Sequence, residues 1–420
     1  MVAPYHVAEV NGSKVAGTIE DALDRLARDG ARQMLQRALE AEVHEFLGRE
    51  RYQRGPEFRG YRNGHGRERT VGIGTWAVPV KVPRVSDVPE GSGFESAVLP
   101  KRTRLSLATQ KLFARLYLEG LSTGDFEPVF RQLLGETAPL SANTLIRIKD
   151  EWEAEYRAWR ERPLQNERFL YIWADGIYLG AGLEKEHSCL LTLLGARADG
   201  TKDLIAMEIG YRESTAAWAD VLRNLRDRGL RAPLALVGDG NLGIWGAQGE
   251  VWTETKRQRC WNHRLMNLVD RLPKRMQPEV RSRMYELYQA PTRKMCESKR
   301  DELVAWLKHE RQEPAASTLL RDWDDFVTFY EFPQDHWLHL RTTNPLESVF
   351  AGVRLRTDVA KRARKRENAL YLVFKVVQRL GRNWRALNGG PALMEKVAAG
   401  AVFRDGVLQE SAQETEVRVA

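Results

Sequence analysis

Cysteine, long apolar runs and a leader-like start are what this chain lacks. Its three cysteines, Cys189, Cys260 and Cys296, are too few and too far apart for a disulfide framework, which points to a reducing compartment. No apolar stretch approaches the roughly 20 residues that cross a bilayer. The opening MVAPYHVAEVNGSKV has no charged region followed by an apolar one, as a secretory signal would. These absences predict a soluble, cytoplasmic protein with no membrane partner. A large net charge is missing too: 65 Lys+Arg against 57 Asp+Glu leave +8, so the placement of basic residues matters more than their sum. Arginine dominates several clusters, which suits bidentate phosphate contact or simply a solvated surface. At 420 residues there is material for two or three domains with proper cores.

The N-terminal part reads as helix, then basic segment, then more helix. Residues 18–48 carry a helical pattern, with Thr18-x-x-Asp21 resembling a capping box and Gly48 a stop. Leu35, Leu39, Val43 and Phe46 share a face, and Gly30 could divide the run in two. Residues 49–70, RERYQRGPEFRGYRNGHGRERT, hold seven arginines among several glycines. Such a segment either tracks a phosphate backbone, with Arg59 and Arg62 as contacts, or is an exposed loop. WAVPVKV, residues 76–82, alternates like an edge strand, and a polar linker follows over 86–96. Three short helices are expected over 104–160, the second capped by Ser122 and the third by Ser141. They fit a helix-turn-helix as well as a plain helical triplet. In the first case the start of the last helix, with Asn143, Thr144 and Arg147, meets base edges.

The middle of the chain carries the chemistry. FLYIW, residues 169–173, has the length and residue types of a buried strand, and Asp175 follows. A carboxylate on such a strand needs a partner or a metal. Alternatively, Asp175-Gly176 is a hairpin turn. Two further strands, at 187–196 and 203–209, lead to a helix capped by Ser214. The short strand APLALVG then ends at Asp239, itself readable as a turn residue in Asp239-Gly240-Asn241. The order β-β-β-α-β, with an acid on the first strand and another after the fourth, matches a ribonuclease-H-like core. Two-metal phosphoryl transfer needs carboxylates holding two cations about 4 Å apart. A third acid is offered by RTTNPLESVFAGVRLR, where Glu347 could equally close a capping box with Asn344 as cap and Pro345 at the first helical position. Arg354, Arg356, Lys361, Arg362, Arg364, Lys365 and Arg366 crowd the next residues and suit a polyanion. Cys260-x-x-His263 is half a zinc site. Completing it with His336-x-x-His339 needs a long-range coincidence, so a packed Cys and a hydrogen-bonding His beside the acids are expected. Between His263 and Arg341 the pattern is helical and too long for a loop. It reads as an all-α insertion, its tryptophans Trp306, Trp323 and Trp337 in the core.

YIWADGIYL, LVGDGNLGIWGA and TTNPLESVFAGVR, together with QRCWNHRLMN 21 residues after Asp239, resemble the motifs of the Mutator-type insertion-sequence transposases, a branch of the DDE transposases. GYRNGHGRERT, VPVKVPR and YLEGLST resemble that family's N-terminal motifs, so the likeness runs from about residue 60 to 384. It implies an α/β ribonuclease-H-like catalytic core interrupted by an all-α insertion and preceded by mostly α N-terminal DNA-binding domains. The segments expected are a helical 1–48, a basic 49–100, a helix-turn-helix-like 101–163, core at 164–263 and 341–398, insertion at 264–340, and a polar tail at 399–420. The resemblance further implies Asp175, Asp239 and Glu347 as catalytic ligands of two Mg2+ ions (Mn2+ as substitute), with Cys260 and His263 as an accessory signature. The partners implied are double-stranded DNA, both terminal inverted repeats and target, and a homodimer or higher oligomer formed on it. The reaction implied is hydrolysis at the transposon ends to free a 3′-OH, then attack of that 3′-OH on target DNA.

Overall fold

Thirty-six residues rich in Ala, Leu and Arg open the described chain as a single helix, α1 (Gly12–Leu47). The computed structural model describes residues 12–409 apart from 51, 54–56, 75, 90–92, 119–141, 179–187, 241 and 358–365. Gly30 does not divide α1. A lone interior glycine costs only about 1 kcal/mol relative to alanine, and the burial of Leu39, Val43 and Leu47 outweighs it. The chain divides into two compact units, Met1–Ile148 and Lys149–Ala420.

In the first unit, α1 packs on two small antiparallel ribbons. β1 (Tyr61–His65) pairs with β4 (Pro83–Ser86), and β2 (Arg69–Ile73) pairs with β3 (Trp76–Val80). Leu39, Val71, Val78, Val80 and Leu99 form the core between them. Pro79 sits in β3 opposite Thr70, tolerated because a two-stranded ribbon has only edges. The basic stretch 49–70 is therefore partly strand. α2 (Leu107–Leu118) and α3 (Ala142–Glu161) are the first and third of the expected helical triplet. The second, with the turn that would define a helix-turn-helix, lies outside the described residues.

The second unit is a mixed α/β core. β5 (Phe169–Tyr178), β6 (Ser188–Arg197) and β7 (Lys202–Tyr211) form an antiparallel meander. After α4 (Thr215–Asp227), β8 (Ala235–Gly238) returns parallel to β5. α5 (Leu242–Val251) then crosses to β9 (Lys256–Arg259), parallel to β8, giving the order β7-β6-β5-β8-β9. Ser214 caps α4 as expected, its side chain accepting from the Ala217 amide at 3.2 Å. One sheet face carries Ile172, Ala174, Leu191, Leu193 and Leu236 and buries Trp218, Leu222 and Leu225 of α4 and Ile244 and Trp245 of α5. Strand alternation places Tyr171, Trp173 and Asp175 on the opposite face. There the Tyr171 hydroxyl meets His336 Nδ1 at 3.0 Å, and Trp173 Nε1 donates to the His339 carbonyl at 2.9 Å. A five-stranded mixed sheet flanked by helices is consistent with the ribonuclease-H-like class.

Between His263 and Arg341 the described structure is all helical: most of α6 (Trp261–Val269), then α7 (Gln277–Gln289), α8 (Arg293–His309), α9 (Glu313–Leu320), α10 (Trp323–Val327), two 3-10 turns and α11 (Trp337–Leu340). Trp323 and Trp337 are buried, and Trp306 is half-buried beneath the Arg283 guanidinium. Trp323 and Trp337 are core residues, as expected, whereas Trp306 is only partly covered. α12 (Asn344–Thr357) and α13 (Arg366–Gly381) return to the sheet, α12 beside β5 and α13 beside β7. α14 (Gly390–Ala398) leads to a hairpin, Phe403–Arg404 with Val407–Leu408, where a polar tail was expected; Asp405 and Gly406 supply the positive φ of its turn. Among the described residues no helix is long and apolar enough to cross a membrane.

Candidate active site

Three parallel strand ends build the floor of the site. Trp173 pairs with Val237 across β5 and β8, and Gly238 with Arg259 across β8 and β9. Two residues beyond the first pair stand Asp175 and Asp239, side by side on one face. One residue beyond the second pair's Arg259 comes Cys260, whose amide donates to the Gly238 carbonyl at 2.7 Å. Asp175 is no hairpin turn: β5 runs on through Gly176 to Tyr178, with Asp175 opposite Thr192 of β6. The loop after Asp239 is pinned by Trp245 Nε1, which donates to the Asp239 carbonyl at 2.9 Å.

α12 brings the third acid. The expected capping box is not what forms: the cap moves back one residue, because the Leu346 and Glu347 amides both donate to the Thr343 carbonyl, at 2.8 and 3.0 Å. Thr343 is thus the residue before the helix and Glu347 its fourth member. Asn344 serves elsewhere: its Oδ1 accepts from Asn262 Nδ2 of α6 at 2.8 Å. The Thr343 hydroxyl lies 3.1 Å from Glu347 Oε1 and 3.4 Å from Cys260 Sγ. The Trp261 amide donates to the Arg341 carbonyl at 2.9 Å, closing the same junction. Ligand atoms of Cys260, His263 and Glu347 consequently come within 4.8 Å of one another. Among the described residues this is the donor group that closes; Asp175 and Asp239 lie within electrostatic range of its His263 but are not in it. His336 and His339 are outside it as well.

Charge in the site is tightly linked. Burial pushes the Asp175 carboxyl up to about 7; the carboxylates of Asp239 and Glu213 push the same way, and His263 pulls against them. The His263 imidazole is raised to about 9, first by the Cys260 sulfur beside it and then by Asp175 and Asp239, in spite of burial. His263 Nδ1 is buried without a hydrogen-bond partner. The imidazolium is the counter-charge that the chain itself gives these acids.

Glu213 carries no motif that marks it in the sequence, standing just before the cap Ser214 at the end of the β7–α4 link. Its carboxylate crosses Gly176 so closely that a Cβ there would fall 2.6 Å from Oε1. The Tyr178 hydroxyl donates to it. Mn2+ binding is therefore expected to tighten as pH rises through about 7, where Asp175 loses its proton. Glu213→Gln removes one of the charges that hold that proton, so the midpoint of the binding curve moves to lower pH. Electron paramagnetic resonance of Mn2+ across pH reads this directly, and an unmoved midpoint would show that Glu213 does not act on Asp175.

The expected DNA contacts are scattered. Arg59 is exposed and pairs with Glu57 at 3.1 Å, whereas Arg62 is half-buried between Glu40 and His44 of α1. Arg147 and Arg354 are exposed on α3 and α12. The side chains of Asn143, Thr144, Arg356 and Arg366, and the whole of Lys361, Arg362, Arg364 and Lys365, lie outside the described set.

Comparison with known proteins agrees with the motifs. The family model for Mutator-family transposases matches residues 7–386. The chain is similar to the transposase for insertion sequence element IS6120 of Mycolicibacterium smegmatis, 43% identical over 297 residues, covering 70% of this chain and 91% of that one. It is 30% identical over 393 residues to the transposase for insertion sequence element ISRM5 of Rhizobium meliloti, covering 91% of this chain and 95% of that one. A third relative, the transposase for insertion sequence element IST2 of Acidithiobacillus ferrooxidans, is 37% identical over 278 residues, 66% of this chain and 93% of its own. Matches of this extent, on a chain whose acids meet at the ends of parallel strands, show that it belongs to the Mutator family of transposases.

Proposed function

We propose that the protein is the DNA transposase of an insertion sequence, cutting phosphodiester bonds at the element's ends and joining the freed 3′-OH groups to target DNA. The observation that supports this reading is that Asp175 and Asp239 follow adjacent parallel strands within electrostatic range of His263, whose own donor group with Cys260 includes Glu347 of α12. The core would be ribonuclease-H-like, formed by residues 164–263 and 341–398 around an all-α insertion at 264–340. The names of the relatives, all transposases of insertion sequences, support the activity.

The residues present fit a divalent cation. A buried carboxylate that also faces other acids, as Asp175 faces Asp239 and Glu213, offers to a metal the place it offers to a proton. Oxygen ligands suit Mg2+ or Mn2+, while a thiolate and an imidazole suit softer ions. Asp175, Asp239 and Glu347 would therefore hold Mg2+, with Cys260 and His263 as accessory groups. When bound, two such ions supply the charge that activates an attacking oxygen and stabilises the leaving one. Thr343 orients Glu347 through its hydroxyl, and His263 presents positive charge toward the acids. Basic residues at 354–366 would track the DNA backbone. The N-terminal region, including Arg59, Arg62, Asn143, Thr144 and Arg147, would bind the terminal inverted repeats, and two ends would be held by a dimer or larger oligomer.

The test is a labelled duplex ending in the element's inverted repeat, incubated with the protein and Mg2+. Release of a 3′-OH at the repeat boundary and its covalent joining to a second duplex are the expected products. Cleavage without joining would make the protein a nuclease, and neither product would refute the reading.

A further inference from the structure

Beside the acids a second polar recess opens, between α6 and the turn that joins α9 to α10. It reaches the candidate centre at Gly240 and Cys260 and has a volume of about 410 Å3. Four guanidinium groups line it, from Arg259, Arg264, Arg271 and Arg321, against a single carboxylate, Asp270. Two of these arginines are fixed from behind. Arg259, only 6% exposed, donates through Nη1 to Asp322 Oδ2 at 2.5 Å, and its buried Nε, with no hydrogen bond, faces Asp325 Oδ2 at 3.9 Å. Arg264 lies over the Phe326 ring at 4.1 Å and donates to the carbonyls of Thr318 and Arg321. Carbonyls hold a guanidinium in place without cancelling its charge. The remaining pair, Arg271 and Arg321, have exposed side chains and make no ion pair among the described residues.

We infer that this recess is a phosphate subsite, taking the backbone phosphodiester of a nucleotide that flanks the bond to be cut. The inference rests on the reading of the substrate as DNA. Forked guanidinium groups match phosphate oxygens in geometry as well as charge. A stacked base is not what the recess offers, because its one aromatic face, Phe326, is already covered by Arg264. Burial lowers the Arg264 guanidinium to about 10, and like charge on Arg259 and Arg321 adds to this, so an anion at this point relieves a repulsion built into the wall. Continuity with Cys260 and Gly240 then runs the strand from the recess directly to the acids.

Binding of a fluorescently labelled mixed-sequence duplex, followed by anisotropy over a range of KCl concentrations, tests this. Each phosphate contact contributes about 0.9 to the slope of log affinity against log salt. The double variant Arg271→Ala, Arg321→Ala should lose about one to two from that slope, and the corresponding double lysine variant should recover most of it. Arg281→Ala, an exposed change on α7 outside the recess, should leave the slope as it is. An unchanged slope in the double alanine variant, or an equal loss in Arg281→Ala, overturns the inference. Melting temperature checks that both exposed changes leave the fold intact. Mn2+ binding by the same proteins reads the metal centre separately. A wild type that fails to bind Mn2+ while the double variant still loses slope sinks the metal reading and supports this one.

Discussion

Asp175→Asn should abolish metal-dependent strand cleavage, by roughly 10³-fold or more, and at the same time make the chelated protein more stable at pH 8. Both effects have one cause. The carboxyl is raised from its ordinary value to about 7, chiefly by burial. An acid shifted in this direction contributes stability that is complete below the unfolded value, near 4, and is lost as pH rises through about 7. Above that the ionised group is a buried charge facing Asp239 and Glu213. Asparagine keeps the shape and removes the charge. Part of the gain is returned because His263 loses a carboxylate neighbour, which leaves about 1–3 kcal/mol and a melting point a few degrees higher. At pH 5 the wild-type carboxyl is protonated and the difference should vanish. Thermal denaturation in EDTA at the two pH values measures it. Cleavage that survives the substitution would remove Asp175 from the catalytic set, and a less stable variant at pH 8 would refute the burial argument.

Gly243→Ala should be the most disruptive single methyl in the sheet unit. A Cβ at Gly243, in the first turn of α5, would fall 1.9 Å from the Glu213 carbonyl oxygen and 3.0 Å from the Ser214 carbonyl carbon. Both are main-chain atoms of the β7–α4 junction, so relief requires α5 or the junction to move. Overpacking of this kind costs about 3 kcal/mol, against which the helix gains about 1 kcal/mol from alanine. The displaced elements carry Asp239 and Glu213, so Mn2+ affinity should fall with stability. Two glycines on the same helix grade the effect. At Gly246 the obstacle is the Thr215 side chain at 2.8 Å, and at Gly249 the far end of the Arg257 side chain at 3.0 Å. Urea denaturation should rank the alanine variants Gly243, Gly246, Gly249 from most to least destabilised, the last near neutral. Equal midpoints for the first and last would mean that the close approach of α5 is not rigid.

Much of this arrangement is written locally. Five consecutive apolar residues announce β5, Ser214 announces α4, and a glycine follows each aspartate. β9 is different: its sequence, KRQR, has no apolar residue, and it is a strand only because β8 offers an open edge and because the buried Gln258 and Arg259 side chains find partners in Phe326, Phe329 and Asp322. Glu213 is equally silent, its role set by a neighbour 37 positions earlier across the sheet. The shift of the α12 cap from Asn344 to Thr343 follows from a tertiary demand, since Asn262 claims the Asn344 side chain. Cys260 and His263 stood out by spacing alone, whereas their meeting with Glu347 depends on a chain of helices between them.

That meeting divides the centre into parts of unequal firmness. Asp175 is laddered into the sheet and Asp239 directly follows the paired strand β8. Glu347 hangs from a closure 83 residues long whose seals include two sulfur contacts of 3.4 Å at Cys260. Sulfur is a weak acceptor, so the junction parts at lower cost than the sheet. On the proposed reading the chain would thus hold two of its acids on the sheet and the third on a latch, and parting the first turn of α12 would withdraw Glu347 while leaving the sheet intact.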